Sequence, residues 1–183
     1  STVAITTFDS TGTAAGDVID AGSAATDAIT QGALSTATVA SATDTPGVKS
    51  TATVGFTTAG RILSGGAIQL VFSEGETFDA NPTVTFTPNT VTGTAVWTGG
   101  TSTLVITTGG DAVSADEGTA VSFTLTDLRS APSIVGASTV AITTFDSTGT
   151  AAGDVIDAGS AATDAITQGA LSTATVASAT DTP

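Results

Sequence analysis

The chain carries one long segment twice without a single substitution, because residues 1–46 and residues 138–183 have the same sequence. The two copies are offset by 137 residues, so the chain holds one full period and the first third of a second. A period of this length is the size of a single globular domain. Such an undiverged repeat indicates a recently duplicated array, a polymer of identical units or an engineered concatemer, and it predicts that both chain ends are arbitrary cuts.

The repeat leads to a predicted division of the chain. We expect residues 47–183 to form one complete domain, with its core strands between residues 51 and 145. Residues 1–46 are expected to belong with a neighbouring repeat, and residues 1–34 to pack on that neighbour. Residues 40–49 have the small and polar composition of a linker.

Alternation of apolar and polar residues predicts β-strands throughout the period. In residues 119–125, Val121, Phe123 and Leu125 fall on one face, and Thr and Ser fall largely on the other. Nine strands are predicted in all, at residues 3–8, 36–40, 51–57, 67–72, 83–87, 91–98, 101–107, 119–125 and 138–145. Short strands at this spacing are typical of an all-β fold, and we expect an antiparallel, Ig-like β-sandwich.

Glycine and proline mark the predicted turns, and one helix is expected. Gly99 and Gly100 separate two strands and predict a two-residue hairpin turn of a primed type. Residues 24–31 are the single helical candidate, within a connection rich in Ala, Gly and Asp.

Composition excludes several classes of function. Three basic residues stand against 17 acidic ones, giving a net charge of −14, which would repel nucleic acid and anionic membrane surfaces. The apolar runs, such as residues 67–72, are far shorter than the roughly 20 residues of a membrane span. Since Cys, His and Met are absent, disulfides, thiol chemistry and the common nucleophile–base pairs are excluded. This composition favours an exposed extracellular or cell-surface protein.

Acidic clusters are the remaining candidates for catalysis, and we expect no enzyme. One cluster is Glu74, Glu76 and Asp79, and the other is Asp111, Asp116 and Glu117. Glycosidases use paired carboxylates, but a sugar cleft is usually lined by aromatic side chains. The chain has one Trp and no Tyr.

Calcium is the one cofactor for which the sequence offers candidate ligands. Asp9, Asp17 and Asp20 offer three carboxylates around a loop containing Gly, and calcium takes six to eight oxygen ligands from such loops. The alternative is that these residues, which are common in turns, merely start turns and solvate the loop. The loop at Asp111, Asp116 and Glu117 is a second candidate of the same kind.

Glycosylation is predicted from composition alone. Asn81-Pro-Thr has a proline in the middle position, which disables the N-linked sequon. Thr45 and Thr87, each followed by Pro, are the candidate O-linked sites. Unmodified threonine is the alternative at both positions.

Lys49 and Trp97 each occur once in the period. Lys49 is either a solvated lysine or one cross-linked to Asn81 or Asn89. Trp97 is either a carbohydrate platform or a core residue, and its position on the same strand face as Ala95 favours the core.

Residues 53–72 combine a Thr-rich strand, a turn with Gly65-Gly66 and an apolar strand. Together with residues 118–128 and Ala131-Pro-Ser133, they resemble the Thr-rich β-sandwich repeats of giant surface proteins of microbes and algae. The resemblance covers residues 51–146. It implies tandem sandwich domains in an extracellular fibre, stalk or adhesin, and it brings no catalytic residues.

Three functions follow as expectations. The first is a structural subunit of an extracellular filament or stalk, whose partners are identical copies of itself. In such a fibre, a neighbour's strand can complete an open sheet edge, and we expect Val3, Ile5, Val140 and Ile142 at such a junction. The second is an adhesin repeat that binds surface glycans with calcium. The third is a pilin-like subunit polymerised by donated strands.

Overall fold

The computed structural model describes residues 2–8, 18–87, 91–110, 113–146 and 154–175. The chain divides into two compact units, residues 1–30 and residues 31–183. The described part is all-β, with several sheets, and is consistent with a β-sandwich.

The first unit is a single antiparallel hairpin of β1 (Thr2–Phe8) and β2 (Val18–Ala25). The second unit holds the other twelve described strands. They are β3 (Gly32–Ala33), β4 (Ser35–Ser41), β5 (Lys49–Thr57), β6 (Ile62–Leu63), β7 (Ala67–Phe72), β8 (Val84–Thr87), β9 (Val91–Thr98), β10 (Thr103–Gly110), β11 (Val113–Ala115), β12 (Ala120–Arg129), β13 (Thr139–Phe145) and β14 (Val155–Ala162).

Two sheets form the body of the second unit. One has six strands in the order β3-β14-β13-β7-β10-β9, and the other has four in the order β4-β5-β12-β8. β6 and β11 make a small separate pair. Neighbouring strands are antiparallel except β14 and β3, which are parallel.

Both sheets contribute to one hydrophobic core. The predicted inward face of β12, Val121, Phe123 and Leu125, is buried. Phe123 meets Phe56 edge to face at 6.4 Å and Phe86 at 5.0 Å, which joins three strands of the four-stranded sheet. Aromatic pairs in these arrangements add about 0.5–1.5 kcal/mol beyond the area that they bury.

Trp97 belongs to a second aromatic group in the same core. Its ring lies 5.9 Å from Phe72 and 5.3 Å from Phe78, and it is half-buried. The alternation on β9, which placed Trp97 on the face of Ala95, therefore predicted the core position.

Two local predictions are wrong. Residues 24–31 form no helix, because Ala24 and Ala25 end strand β2 by pairing with β1. The turn at Gly99-Gly100 is not a two-residue turn. Gly99–Thr101 form a 3-10 turn and Ser102 follows in the left-handed region at φ 49°, so the hairpin pairs again only at Thr98 and Thr103.

The observed domain boundary differs from the predicted one. Residues 1–46 were expected to belong with a neighbouring repeat, but β4 pairs with β5 and β3 pairs with β14 inside the second unit. The domain therefore begins at residue 31. Among the described residues, its last backbone hydrogen bonds come from Ile166 and Thr167, and Gly169 still lies close to Thr45. Residues 31–167 make up one period of 137 residues. We call residues 31–167 the two-sheet domain.

The chain enters and leaves the two-sheet domain at opposite ends of β14. Gly32 pairs with Asp157, near the start of β14. The ladder continues beyond β14, where the N–H of Thr163 donates to Ser138 and that of Ile166 to Val135. Nine residues separate Asp157 from Ile166, which is about 30 Å of extended chain.

No helix among the described residues is long and apolar enough to cross a membrane.

Candidate assembly site

Strands β13 and β14 form a hairpin that completes the six-stranded sheet. β13 pairs with β7 along six residues, from Val140 opposite Phe72 to Phe145 opposite Ala67. Its other edge pairs with β14, from Thr139 opposite Ala162 to Phe145 opposite Val155. We call residues 139–162 the docked hairpin.

The inward face of the docked hairpin is part of the hydrophobic core. Val140 and Ile142 are completely buried, and Phe145 and Ala161 nearly so. Burying a side chain the size of Val, Ile or Phe contributes about 1.5–3 kcal/mol. The hairpin is thus held mainly by its apolar face and by the β7 ladder.

A buried carboxylate fixes the other strand of the docked hairpin. Asp157 is fully buried, and the backbone N–H of Ala59 donates to its Oδ2 at 3.1 Å. The N–H of Gly60 donates to both carboxylate oxygens at 3.0 Å. These three hydrogen bonds hold β14 to the loop after β5.

The loop approaches β14 so closely that only glycine fits. A Cβ on Gly60 would lie 2.4 Å from Ile156 Cγ2, and one on Gly32 would lie 2.1 Å from Asp157 Oδ1. These separations are far below van der Waals contact. The two glycines therefore allow the loop and β3 to reach the Asp157 carboxylate.

The same hairpin occurs a second time, in residues 2–25, without a surrounding domain. We call it the free hairpin. Its register is that of the docked hairpin residue for residue, with the shift after Thr7 matching that after Thr144. The N–H of Asp20 donates to Thr7 Oγ1 at 3.1 Å, as the N–H of Asp157 does to Thr144 Oγ1. The hairpin has the same pairing whether or not it is docked.

The free hairpin exposes the side chains that the docked hairpin buries. Val3 and Ile5 are 50% and 54% exposed, whereas their copies Val140 and Ile142 are at 0%. Asp20 is exposed, and its carboxylate accepts a hydrogen bond from the Thr7 hydroxyl at 3.4 Å. One sequence therefore occupies two environments in one chain.

The contrast extends to the residues that follow each hairpin. Ile29 is fully exposed, but its copy Ile166 is 5% exposed and pairs with Val135. Leu34 packs against the core and its N–H donates to Ala158 at 3.0 Å, whereas its copy Leu171 is almost fully exposed. In the first copy the boundary between the two units falls after Thr30, and in the second copy the change from buried to exposed falls between Ile166 and Leu171.

The four residues predicted for a junction between units fall into two groups. Val140 and Ile142 lie in the core of their own two-sheet domain, because β13 pairs with β7 of the same chain. Val3 and Ile5 are exposed on the free hairpin. A junction at Val3 and Ile5 stays a prediction.

The predicted calcium ligands are only partly within the described residues. Asp9 and Asp17 lie outside them, and Asp20 is exposed beside Thr7. In the second copy, the residue equivalent to Asp20 is Asp157, whose oxygens accept backbone N–H groups. Within the described ranges, no three acidic side chains come together as a metal site. A calcium site at Asp9, Asp17 and Asp20 stays a prediction.

The two predicted glycosylation sites differ in accessibility. Thr87 ends β8 and is exposed. Thr45 is half-buried, and its carbonyl oxygen accepts a hydrogen bond from Ser130 Oγ at 2.6 Å. Exposure favours Thr87 for an attached sugar, which stays a prediction at both positions.

The three cations of the chain all have partners. Lys49 Nζ lies 2.8 Å from both Asp79 and Asp127. Arg61 lies 3.6 Å from Asp116, and Arg129 donates to the carbonyl of Gly47 at 2.8 Å. Lys49 is therefore ion-paired with both aspartates. Asn89 lies outside the described residues, and a cross-link from Lys49 to Asn81 or Asn89 stays a prediction.

The Lys49 pair depends on a bulge in β12. An extra residue between Leu125 and Leu128 puts Asp127 in the left-handed region, at φ 65°. The hydrogen bonds to Asp127 and Asp79 raise the pKa of Lys49 above its ordinary 10.5. Those from Lys49 and from the Thr126 hydroxyl lower the pKa of Asp127 below 3.8. Both shifts keep the pair charged.

Sequence reasoning missed Asp157 and its two backbone donors. Asp157 lies in a segment that reads as a loop, and Ala59 is 98 residues away along the chain. No local pattern signals such a contact. The one available signal is the repeat itself, which indicates that the segment has a fixed place in a larger unit.

Comparison of the chain with protein-family models and with curated proteins finds no match.

Proposed function

We propose that the protein is a structural subunit of an extracellular filament or stalk, built from identical Ig-like β-sandwich units in tandem. The observation that supports this most directly is the pair of hairpins. The free hairpin carries an apolar face that the identical docked hairpin buries completely. Each repeated segment can therefore join two neighbouring domains. Its first 30 residues complete the preceding domain, and the remaining residues begin the next one.

The path of the chain through the two-sheet domain supports an end-to-end arrangement. The chain enters beside Asp157 and leaves after Ile166, which lies four residues beyond the end of β14. The nine residues from Asp157 to Ile166 span up to about 30 Å when extended. Identical domains joined at opposite ends extend in one direction, and a heterologous contact of this kind forms open filaments when its rotation does not close.

The composition supports an exposed structural role. A net charge of −14 keeps identical units soluble and apart except where a specific contact joins them. The absence of Cys and Met removes the side chains most sensitive to oxidation.

A pilin-like subunit is the second candidate, and the free hairpin favours it. In that case separate chains are joined by donated strands rather than by a continuous backbone. Denaturing electrophoresis of the native material distinguishes the two, because a continuous array migrates as one very large species and a non-covalent polymer as small subunits.

Electron microscopy of the native assembly tests the proposal. An antibody raised against the two-sheet domain should label filaments on unpermeabilised cells. The filaments should show an axial repeat of roughly 35–50 Å, since a compact domain of this size has a radius of gyration near 14 Å. Labelling confined to the cell interior, or only to compact particles without a repeat, would contradict the proposal.

A further inference from the structure

We propose that the free hairpin, residues 2–25, together with Ile29, docks on the two-sheet domain of a second copy of the chain. There the free hairpin pairs with β7 of the second copy, as the docked hairpin pairs with β7 of its own domain. This inference deepens the proposed function by naming the contact between copies, and it rests on that function only for its biological setting.

The acceptor for a hairpin consists entirely of residues that precede it in the period. β7 supplies the ladder, the N–H groups of Ala59 and Gly60 bind the aspartate, and Val135 pairs with the isoleucine that follows. Because the free hairpin has the same sequence and the same internal register as the docked hairpin, every one of these contacts is available to it.

The free hairpin is already in the docked conformation. Its strand pairing matches that of the docked copy, including the register shift between Thr7 and Phe8. The hydrogen bond from the N–H of Asp20 to Thr7 Oγ1 is also the same. A preorganised element loses less conformational entropy on binding than a disordered peptide. The exposed Val3, Ile5 and Ile29 are the side chains that binding would bury.

The free hairpin cannot take this place in its own chain. In the docked arrangement, Gly32 pairs with Asp157, and Ile166 lies nine residues after Asp157 along the ladder. Nine residues of extended chain span about 30 Å. Only Thr30 and Gln31 lie between Ile29 and Gly32, and the three Cα-to-Cα steps from Ile29 to Gly32 span at most about 11 Å. The two-sheet domain of residues 31–167 is therefore out of reach of a hairpin that docks together with its own Ile29, and the acceptor in this inference is the two-sheet domain of a second copy.

Docking between copies has a direction. The hairpin of one copy enters the domain of the next, whose own free hairpin is left for a third, so the contact is heterologous and propagates head to tail. The docked hairpin of each chain competes for the same place. Its covalent attachment gives it an effective concentration in the millimolar range, so the exchange is rare in dilute wild-type protein.

Charge substitutions confined to one copy of the segment test the inference in the full chain. In Val140→Asp/Ile142→Asp, the chain's own hairpin no longer fits the core, and the wild-type free hairpin of another copy should replace it. Sedimentation velocity should then show concentration-dependent head-to-tail oligomers with a native circular dichroism spectrum. The matched variant Val3→Asp/Ile5→Asp should stay monomeric and folded.

The combined variant with all four substitutions separates exchange from aggregation. It should lose both the oligomers and the native spectrum, because no competent hairpin remains. Oligomers that persist in the combined variant, or a Val140→Asp/Ile142→Asp protein that is unfolded and monomeric, would overturn the inference.

A disulfide reports the register of the contact. Ala141 lies opposite Val71 in the docked pairing, and Ala4 is the copy of Ala141. The chain has no native Cys, so Ala4→Cys and Val71→Cys can be placed on separate chains of the Val140→Asp/Ile142→Asp protein. Mixing and oxidation should give a linked pair of chains, whereas Thr6→Cys with Val71→Cys, two residues out of register, should give far less.

Equal linking at both positions would contradict the docked register. These outcomes are independent of where the protein works. A filament without hairpin exchange would refute only the inference, and exchange in a protein that forms no extracellular filament would refute only the proposed function.

Discussion

The carboxylate of Asp157 accepts the backbone N–H of Gly60 on both of its oxygens, at 3.0 Å, in the interior of the two-sheet domain. Gly60 belongs to the loop after β5 and Asp157 to the hairpin that completes the sheet. The pair therefore joins the repeated segment to the body of the period. Its counterpart Asp20 has the same sequence neighbours and lies exposed.

Removing the Asp157 carboxylate should destabilise the domain strongly. Asp157→Ala leaves the N–H groups of Ala59 and Gly60 buried without a partner, and we expect a loss of about 3 kcal/mol in the free energy of unfolding. Asp20→Ala, the same change in the exposed copy, should alter it by less than about 0.5 kcal/mol. Urea denaturation in dilute solution, where exchange between copies does not contribute, measures both. Equal losses in the two variants would contradict the different environments of the copies.

Truncation of the two equivalent isoleucines should give a similar contrast. Ile142 is completely buried in the core, so Ile142→Ala should cost about 2–5 kcal/mol by lost burial and cavity formation. Ile5 is half exposed in the free hairpin, and Ile5→Ala should leave the thermal unfolding of the two-sheet domain almost unchanged. Calorimetry of the two variants checks this, and a large shift for Ile5→Ala would show that the free hairpin contributes to the stability of the domain.

Two equivalent glycines provide a test of close packing. A Cβ on Gly159 would lie 2.9 Å from Leu34 Cβ, but one on Gly22 would meet nothing within 4 Å. Gly159→Ala should therefore destabilise the domain by about 1–3 kcal/mol through overpacking. Gly22→Ala should be neutral. Chemical denaturation of each variant decides the matter, and a neutral Gly159→Ala would mean that Leu34 moves away from β14 at little cost.

The sequence predicted the longer strands whose inward residues are apolar, but not the two- and three-residue strands β6 and β11. Val121, Phe123 and Leu125 alternate with Thr and Ser, and β12 lies where this pattern predicts it. β14 was missed because Asp157 and Gly159 occupy its inward positions, where a pattern based on hydrophobicity expects large apolar residues. The contact that makes an inward aspartate stable comes from Ala59 and Gly60, far away along the chain.

The position of the domain boundary could not be predicted for a different reason. The residues around Thr30 and Thr167 are identical, so local propensity is the same in both copies. The copies differ only in which tertiary partner is present. Val135 precedes Ile166 in the same domain, and Ile29 has no equivalent partner within its own unit among the described residues. Tertiary contacts alone set the boundary.

The ion pair of Lys49 and Asp127 should stabilise the domain over a wide pH range. The raised pKa of Lys49 means that its contribution is complete below 10.5 and is lost as the pH rises through the higher pKa of the folded state. The lowered pKa of Asp127 means that its contribution is present above 3.8 and is lost as the pH falls through the lower pKa of the folded state. The difference in melting temperature between wild type and Asp127→Asn should therefore be constant between these limits and shrink in acid.

Salt provides the control for the Lys49 pair, because both groups are partly exposed and screening weakens such pairs. The difference between wild type and Asp127→Asn should decrease as sodium chloride is raised at neutral pH. Asp116→Asn, which removes the longer contact with Arg61, should show a smaller difference at every pH. A difference for Asp127→Asn that does not change with acid or salt would mean that the bulge geometry at φ 65°, rather than charge, determines the effect of this residue.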